Sequence, residues 1–424
     1  MVKYQYMNIQ NLSIITPARN NLVYLKWNYT QLRKFYPNLE WCISSDNSND
    51  GTDQWLQEIS KTDKFIKYHI NDSGHRLGHT ILYDLLINNY CTKDYFCIWH
   101  ADMICVEDTF QNMIKHIKDN KIIVSSTRIE PPLHPKDPAK FVLDFGTEPE
   151  NFDYEKFNNF VNIQRSLDSN KITYGVFAPW ICSRSEFQSI GGHDSRLFSP
   201  QSAEDSDVWN RLMLNGIKFV QARDSFTGHL TCRGSRFNPS LTTPGTNSSE
   251  WELQNSKSRR NFARKWHQHT LHDEYMNPII LDVYDITFVV RNCDIELLWY
   301  LEPWCDKVTI ITSTPDYHKN SLNNMIQQYI ESEQPNTKYN LSNKINQDFN
   351  WVPNTSVLIE FDGALFRQNF EYYRQFIEGG FAQMLSVSGE LGKMEFEIFK
   401  FEILNLATKQ NNMIVIDNNT NLGM

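Results

Sequence analysis

The chain has 424 residues, 40% hydrophobic and 13% aromatic, with a net charge of -9. That is ample apolar material for a large core in one or two domains, and the acidic balance counts against a protein that coats nucleic acid nonspecifically. Eight cysteines without a CxxC pair argue against zinc and for a reducing, cytoplasmic setting (a bacterium or the host cell of a virus), and no signal peptide or membrane-spanning stretch is expected.

Residues 12–18, LSIITPA, read as a first strand that breaks at Pro17. Residues 21–35 read as a helix, with Leu22, Leu25, Trp27 and Leu32 near one face. Residues 40–45, EWCISS, form a second strand, which runs into the turn-rich Asp46-Asn47-Ser48-Asn49-Asp50-Gly51-Thr52. Thr52 is expected to cap a helix carrying Trp55, Leu56 and Ile59. A strand at 65–70 and a helix marked by Leu77, Ile81, Leu82, Leu85 and Leu86 follow. This β-α alternation predicts parallel strands.

The next stretch, YFCIWHADMICVED at 95–108, is the centre of the chain. Tyr95 to Trp99 read as a buried strand, and His100-Ala101-Asp102 end it. A carboxylate and an imidazole at the carboxyl end of such a strand sit where open α/β sheets place ligands, and both bind divalent metals. A strand that simply ends in a capping Asp is the competing reading.

From Glu107 the spacing of Phe110, Met113, Ile114 and Ile117 predicts a helix, followed by a strand at 122–125 and an irregular Pro-rich segment at 130–140. Residues 173–180 read as a further strand, and Gly191-Gly192-His193-Asp194 as a tight turn. Glu204-Asp205-Ser206-Asp207 opens a helix stopped at Gly216, its acids placed to suit the macrodipole. Strands at 218–222 and 226–229, a Gly/Ser/Thr-rich loop at 232–250 and a basic helix at 251–268 complete the first unit. A boundary near Tyr275–Pro278 precedes a second α/β unit, with strands near 286–290, 308–312 and 356–360. The domains expected are therefore 1–275 and 276–424.

These motifs, in this order over residues 12–270, resemble the nucleotide-sugar-dependent glycosyltransferases of the A-type fold, family 2 in particular. The resemblance implies a Rossmann-like mixed sheet with flanking helices, a nucleotide-sugar donor and an Mn2+ or Mg2+ ion. Ser13 to Asn20 is similar to the opening strand and turn that hold the nucleotide. Ser45 to Thr52 is similar to Asp-Asp-x-Ser-x-Asp-Gly-Thr, with Asp46 in the base-recognising position. His100-Ala101-Asp102 stands in place of Asp-x-Asp, leaving Asp102 as the surer metal ligand, with His100 and His229 beside it.

The residues implied on the donor side are Pro17, Ala18, Arg19, Asp46, Asp50, Arg76, Ala101, Arg233 and Arg236. Those implied on the acceptor side are Trp180, Gly192 and Asp194. Asp205 is implied as the base, beside Glu204, in a one-step displacement with inversion at the anomeric carbon. Structural readings stand next to these: Asp46 and Asp50 as turn formers, Asp207 as a cap, His229 and Trp180 as core residues, Arg233 and Arg236 as solvated loop residues, and His75 and His79 on a helix surface.

The acceptor is read as a glycan, a lipid-linked sugar or a protein. The alternative is hydroxylated bases of DNA, suggested by the basic patch Lys257–Lys265, and a third reading is a sugar-binding protein that has lost catalysis. The second unit reads as a degenerate, non-catalytic copy of the first. Asp285 to Asn292 parallels Ser13 to Asn20, and Glu360-Phe361-Asp362 parallels His100-Ala101-Asp102, with chance similarity as the competing explanation.

Overall fold

A computed structural model describes residues 7–231, 233, 247–311, 317–347 and 355–416. The first sheet is built from β1 (Leu12–Ala18), β2 (Glu40–Asp46), β3 (Ile66–Asn71), β4 (Tyr95–Ile98), β5 (Met103–Cys105), β6 (Ile122–Glu130), β7 (Lys140–Val142), β8 (Ile172–Thr173), β9 (Trp180–Ser183) and β10 (Lys218–His229). Its order is β3-β2-β1-β4-β9-β6-β10-β5, with β7 on β6 and β8 on β10. The first four strands run parallel. Strand β9 is antiparallel to both β4 and β6, so the sheet is mixed, as expected.

Every residue of β1 and β2 is buried, the polar Ser13, Thr16, Glu40, Ser44, Ser45 and Asp46 included. Burying Ile14, Ile15, Ile43 and Phe96 contributes roughly 1.5–3 kcal/mol each. Helices α1 (Leu22–Phe35), α2 (Thr52–Thr62), α3 (His79–Leu85), α4 (Thr109–Ile114), α5 (Tyr154–Leu167), α6 (Arg184–Ser189), α7 (Ser195–Phe198), α8 (Glu204–Leu214) and α9 (Ser249–Trp266) belong to the same unit.

Several expectations need correction. Strand β1 does not break at Pro17, which pairs in register with Ser44. Gly51, at φ +89°, is the N-cap of α2, and Thr52 is the first helical residue. Strand β5 intervenes between the His100 turn and α4. Strand β6 continues to Glu130, and 218–229 is one strand with a bulge between Ala222 and Phe226. Only Ile172, Thr173 and Trp180–Ser183 are extended where one strand was expected at 173–180, and α5 was not anticipated at all.

The second unit contains β11 (Ile286–Arg291), β12 (Lys307–Ile311), β13 (Ile345–Asn346), β14 (Val357–Asp362), β15 (Gly392–Phe396) and β16 (Phe399–Ile403), in the order β13-β12-β11-β14-β16-β15. This repeats the β3-β2-β1-β4-β9 half of the first sheet, antiparallel fifth strand included. Aligning Asp285 with Ser13 and Glu360 with His100 makes the pair Ile286↔Val357 the equivalent of Ile14↔Cys97, and both pairs are observed. Asn20 and Asn292 share a positive φ, 53° and 50°. At the strand ends of the copy, Arg291 pairs with Glu360 at 2.7 Å and the Asn292 amide donates to Asp362 at 2.9 Å.

Candidate active site

The carboxyl ends of β1, β2 and β4 share one edge of the sheet, the position where α/β folds bind ligands. A cavity of about 430 Å³ opens there. Its wall includes Pro17, His100, Ala101, Asp102, Trp180, Glu204, Asp205 and His229, so it gathers eight of the residues singled out in the sequence.

His100, Ala101 and Asp102 form the turn between β4 and β5, closed by Met103 N–H donating to the His100 carbonyl at 3.3 Å. The short β5 is what positions Asp102. It pairs antiparallel with β10, Met103 opposite His229, and Leu230 N–H donates to the Asp102 carbonyl at 3.0 Å. His229 Nε2 then lies 3.5 Å from Asp102 Oδ1. The other oxygen, Oδ2, accepts from Arg233 N–H at 3.0 Å.

One ligand atom each from His100, Asp102 and His229 falls within 4.8 Å of the others. His229 Nε2 is buried and has no hydrogen-bond partner among the described residues. An orphaned nitrogen aimed at a carboxylate and a second imidazole fits a divalent cation.

The electrostatics follow from burial and charge. Burial opposes charge on His229, but the carboxylates of Asp102 and Glu130 outweigh it and hold its pKa up to about 9. A cation at Nε2 takes the place of that proton. His100 is pushed down to about 3 by burial and by its neighbour His229. Burial alone would raise Asp102, yet His229 holds it well below the usual carboxylate range.

Glu204 and Asp205 occupy the first turn of α8 and line the same cavity. They follow Ser202 and Ala203, two non-glycine residues at φ +84° and +62°. Such backbone costs about 1–3 kcal/mol per residue and concentrates at functional sites. Burial raises both carboxyls, and the charge of Asp205 raises Glu204 further. Ser206 N–H donates to Asp205 Oδ1 at 2.7 Å and favours its ionised form, as does the helix dipole. Glu204 Oε2 is buried without a hydrogen-bond partner among the described residues.

Other candidates sit elsewhere. Asp46 is buried and accepts from Leu77 N–H, Gly78 N–H and the Asn71 amide, so it organises the 71–78 loop, with Arg76 3.9 Å away. Asp50 ties the starts of two helices by accepting from Leu22 N–H and Thr52 N–H. Ala18 is buried in the core, and Arg19 follows β1 in the 19–21 turn. The Arg233 guanidinium pairs with Glu148 at 3.2 Å. Gly192 and Asp194 do not line the cavity: Gly192 backs onto Asp84, and Asp194 pairs with Lys338 at 2.8 Å and Lys265 at 3.3 Å. Trp180 is a core residue, 2% exposed, packed edge-on against Phe96. Asp207 is no simple cap, since its carboxylate holds Arg211 and Lys265. Arg236 lies outside the described residues.

Two cavity groups were not anticipated. His79, expected on a helix surface, lines the cavity, and burial pushes it down to about 4. His193 was read only as part of a turn. Its Nδ1 lies 2.7 Å from Asp84 Oδ1, and its ring stacks on Tyr83. The patch Lys257–Lys265 is largely consumed within the fold: Arg264 pairs with Glu302 at 2.7 Å, Arg260 with Glu333 at 2.9 Å and Lys265 with Asp207 at 2.7 Å.

The sequence model described as Glycosyl transferase family 2 matches residues 13–185. No curated protein matches the chain. Among solved structures, the mannosyltransferase PcManGT from Pyrobaculum calidifontis in complex with GDP-Man and Mn2+ is similar at 16% identity, over 60% of this chain and 63% of that one, with a TM-score of 0.40. GalNAc-T7 with UDP, GalNAc and Mn2+ is similar at 14% identity, over 62% and 48% of the two chains, with a TM-score of 0.44. S. aureus TarS 1-349 is similar at 13% identity, over 52% and 60%, with a TM-score of 0.38. The match covers less than two thirds of each of these structures. Among the described residues no helix is long and apolar enough to cross a membrane.

Proposed function

We propose that the chain, whose residues 13–185 match the Glycosyl transferase family 2 model, is a metal-dependent inverting glycosyltransferase, moving a sugar from a nucleotide-sugar donor to an acceptor hydroxyl. The observation that carries the proposal is a single cavity lined both by a His-Asp-His group able to hold a cation and by the carboxylate pair Glu204 and Asp205.

Pro17 and Ala101 line the donor end, and His100, Asp102 and His229 hold the cation. A bound divalent cation supplies Lewis-acid stabilisation to the departing diphosphate. Asp205 accepts the acceptor's proton as its oxygen attacks the anomeric carbon. Glu204 lines the same cavity beside it. One base and one displacement give inversion. In this reading residues 1–275 are the catalytic domain. Residues 276–424 are a non-catalytic accessory domain, whose copy of the strand-end loop is taken up by its own side-chain pairs. The acceptor is a glycan, a lipid-linked sugar or a protein, and the setting is cytoplasmic.

The test is thermal stability against a panel of nucleoside diphosphates and nucleotide sugars, with and without Mn2+, on the wild type and Asp102→Ala. A ligand at 100 times its Kd stabilises the fold by about 2.7 kcal/mol. The expected result is a shift with one nucleotide that needs Mn2+ and vanishes in Asp102→Ala. A shift of equal size in Asp102→Ala would remove the metal from the reading.

A further inference from the structure

The cation site has a built support that the sequence did not reveal. Glu130, at the end of β6, is 2% exposed, and its Oε1 lies 2.8 Å from His229 Nδ1. The contact follows from the sheet: β6 runs parallel to β10, with Ile129 opposite Gly228, so Glu130 and His229 are the next residues along the two strands. Two cations fix the carboxylate in turn. Lys140 Nζ donates to its Oε2 at 2.9 Å, and Arg128 Nη1 donates to its Oε1 at 3.1 Å. The Arg128 guanidinium is itself held over the Phe177 ring at 3.7 Å.

A neutral imidazole carries one proton. A carboxylate can only accept, so it draws that proton to the nitrogen it faces. Here that nitrogen is Nδ1, which leaves the lone pair on Nε2, the orphaned nitrogen that faces Asp102. We propose that Glu130 is a positioning residue for the cation site: by binding His229 Nδ1–H it fixes the imidazole in the one tautomer and ring orientation that present Nε2 to a divalent cation shared with Asp102 and His100. This rests on the metal-dependent reading above. Outer carboxylates of this kind raise ligand basicity, and their loss typically weakens metal binding 10–100-fold.

The test is direct Mn2+ binding, measured by calorimetry and by electron paramagnetic resonance, on wild type, Glu130→Gln, Lys140→Met and His229→Ala. A glutamine amide can turn its N–H2 toward Nδ1 and draw the proton to Nε2. Glu130→Gln is therefore expected to bind Mn2+ about 10–100-fold more weakly. Lys140→Met breaks the same ion-pair network but leaves Glu130 on His229 and Arg128, so its Mn2+ affinity should stay within about threefold of wild type. Above the His229 pKa of about 9, where the imidazole is neutral, 15N-labelled histidine should show through the resonance missing from His229→Ala a proton on Nδ1 in the wild type and on Nε2 in Glu130→Gln. The proposal is overturned if Glu130→Gln keeps wild-type affinity, or if Lys140→Met loses as much, which is what a purely structural role gives. If wild type and His229→Ala bind Mn2+ alike, the metal reading itself fails, and the inference falls with it.

Discussion

Asp207 offers a sharp test of how the catalytic helix is held. Its carboxylate is fully buried, with Arg211 Nε at 2.8 Å, Lys265 Nζ at 2.7 Å and Trp266 Nε1 at 3.0 Å. It thus clamps α8 to α9, two residues from Asp205. Burial opposes its charge, but Lys265 and Arg211 outweigh this and lower its pKa from 3.8 to about 2. That shift corresponds to roughly 2–3 kcal/mol of stability. A depressed carboxyl stabilises the fold above its unfolded pKa, so this share is complete above pH 4 and fades as pH falls toward about 2. Asp207→Asn removes the charge and leaves two buried cations, for which the usual loss is about 3–5 kcal/mol. Arg211 keeps the carbonyls of Ile190 and Gly192, and Lys265 keeps Asp194, so the lower end applies. At roughly 2–4 °C per kcal/mol, the melting temperature at pH 7 should fall by about 6–12 °C. Thermal melts of both proteins from pH 7 to pH 2 measure this, and the gap between them should narrow below pH 4. A fall under about 2 °C at pH 7, or a gap independent of pH, would refute the clamp.

Three further outcomes are expected. Asp205→Asn should lower kcat by roughly 10²–10⁴ with donor affinity unchanged, read by steady-state kinetics beside nucleotide calorimetry. Gly192→Ala places a Cβ 2.6 Å from Asp84 Oδ2 at φ +72°. It should cost about 1–2 kcal/mol in backbone conformation and displace Asp84 from His193, visible as a lower melting temperature and a shifted His193 resonance. Arg264→Ala takes from Glu302, which is fully buried, its bidentate partner and leaves it Lys344, Tyr329 and, at 3.6 Å, Arg260. It should destabilise the chain by about 3–5 kcal/mol in urea titrations.

The legible parts of the fold were those with strong local signals. Strand β4 is a continuous apolar run, β1 and β2 carry apolar centres bounded by turn residues, and α8 announces itself by three acids in its first turn. What stayed hidden depends on distant partners. The second half of β6, SSTRIE, is polar yet buried: Arg128 and Glu130 line the cavity, while Ser126 and Thr127 bond to β10. It reads as loop, and Glu130 was lost with it. Strand β5 has only three residues, too few for a period, though it sets Asp102 against His229. Helix α5 buries Phe157 and Val161 but exposes Ile163 and Leu167, so its apolar positions blur. The contacts Asp84–His193 and Glu130–His229 span 109 and 99 residues, and no local pattern encodes them. The Arg and Lys residues of α9 looked like a nucleic-acid surface because their acidic partners, Glu302 and Glu333, belong to the second unit. By contrast, the repeat of Ser13–Asn20 at Asp285–Asn292 was visible in sequence, and strand order and register now accompany it.

The most direct test of the central claim is turnover itself. The chain would be incubated with a panel of nucleotide sugars and Mn2+, and release of nucleoside diphosphate followed for wild type, Asp102→Ala and Asp205→Asn. The account predicts that one donor is consumed, that chelation stops it, and that both variants are inactive while Asp205→Asn still binds the nucleotide. Release that persists with the metal chelated, or in Asp205→Asn at the wild-type rate, would contradict it.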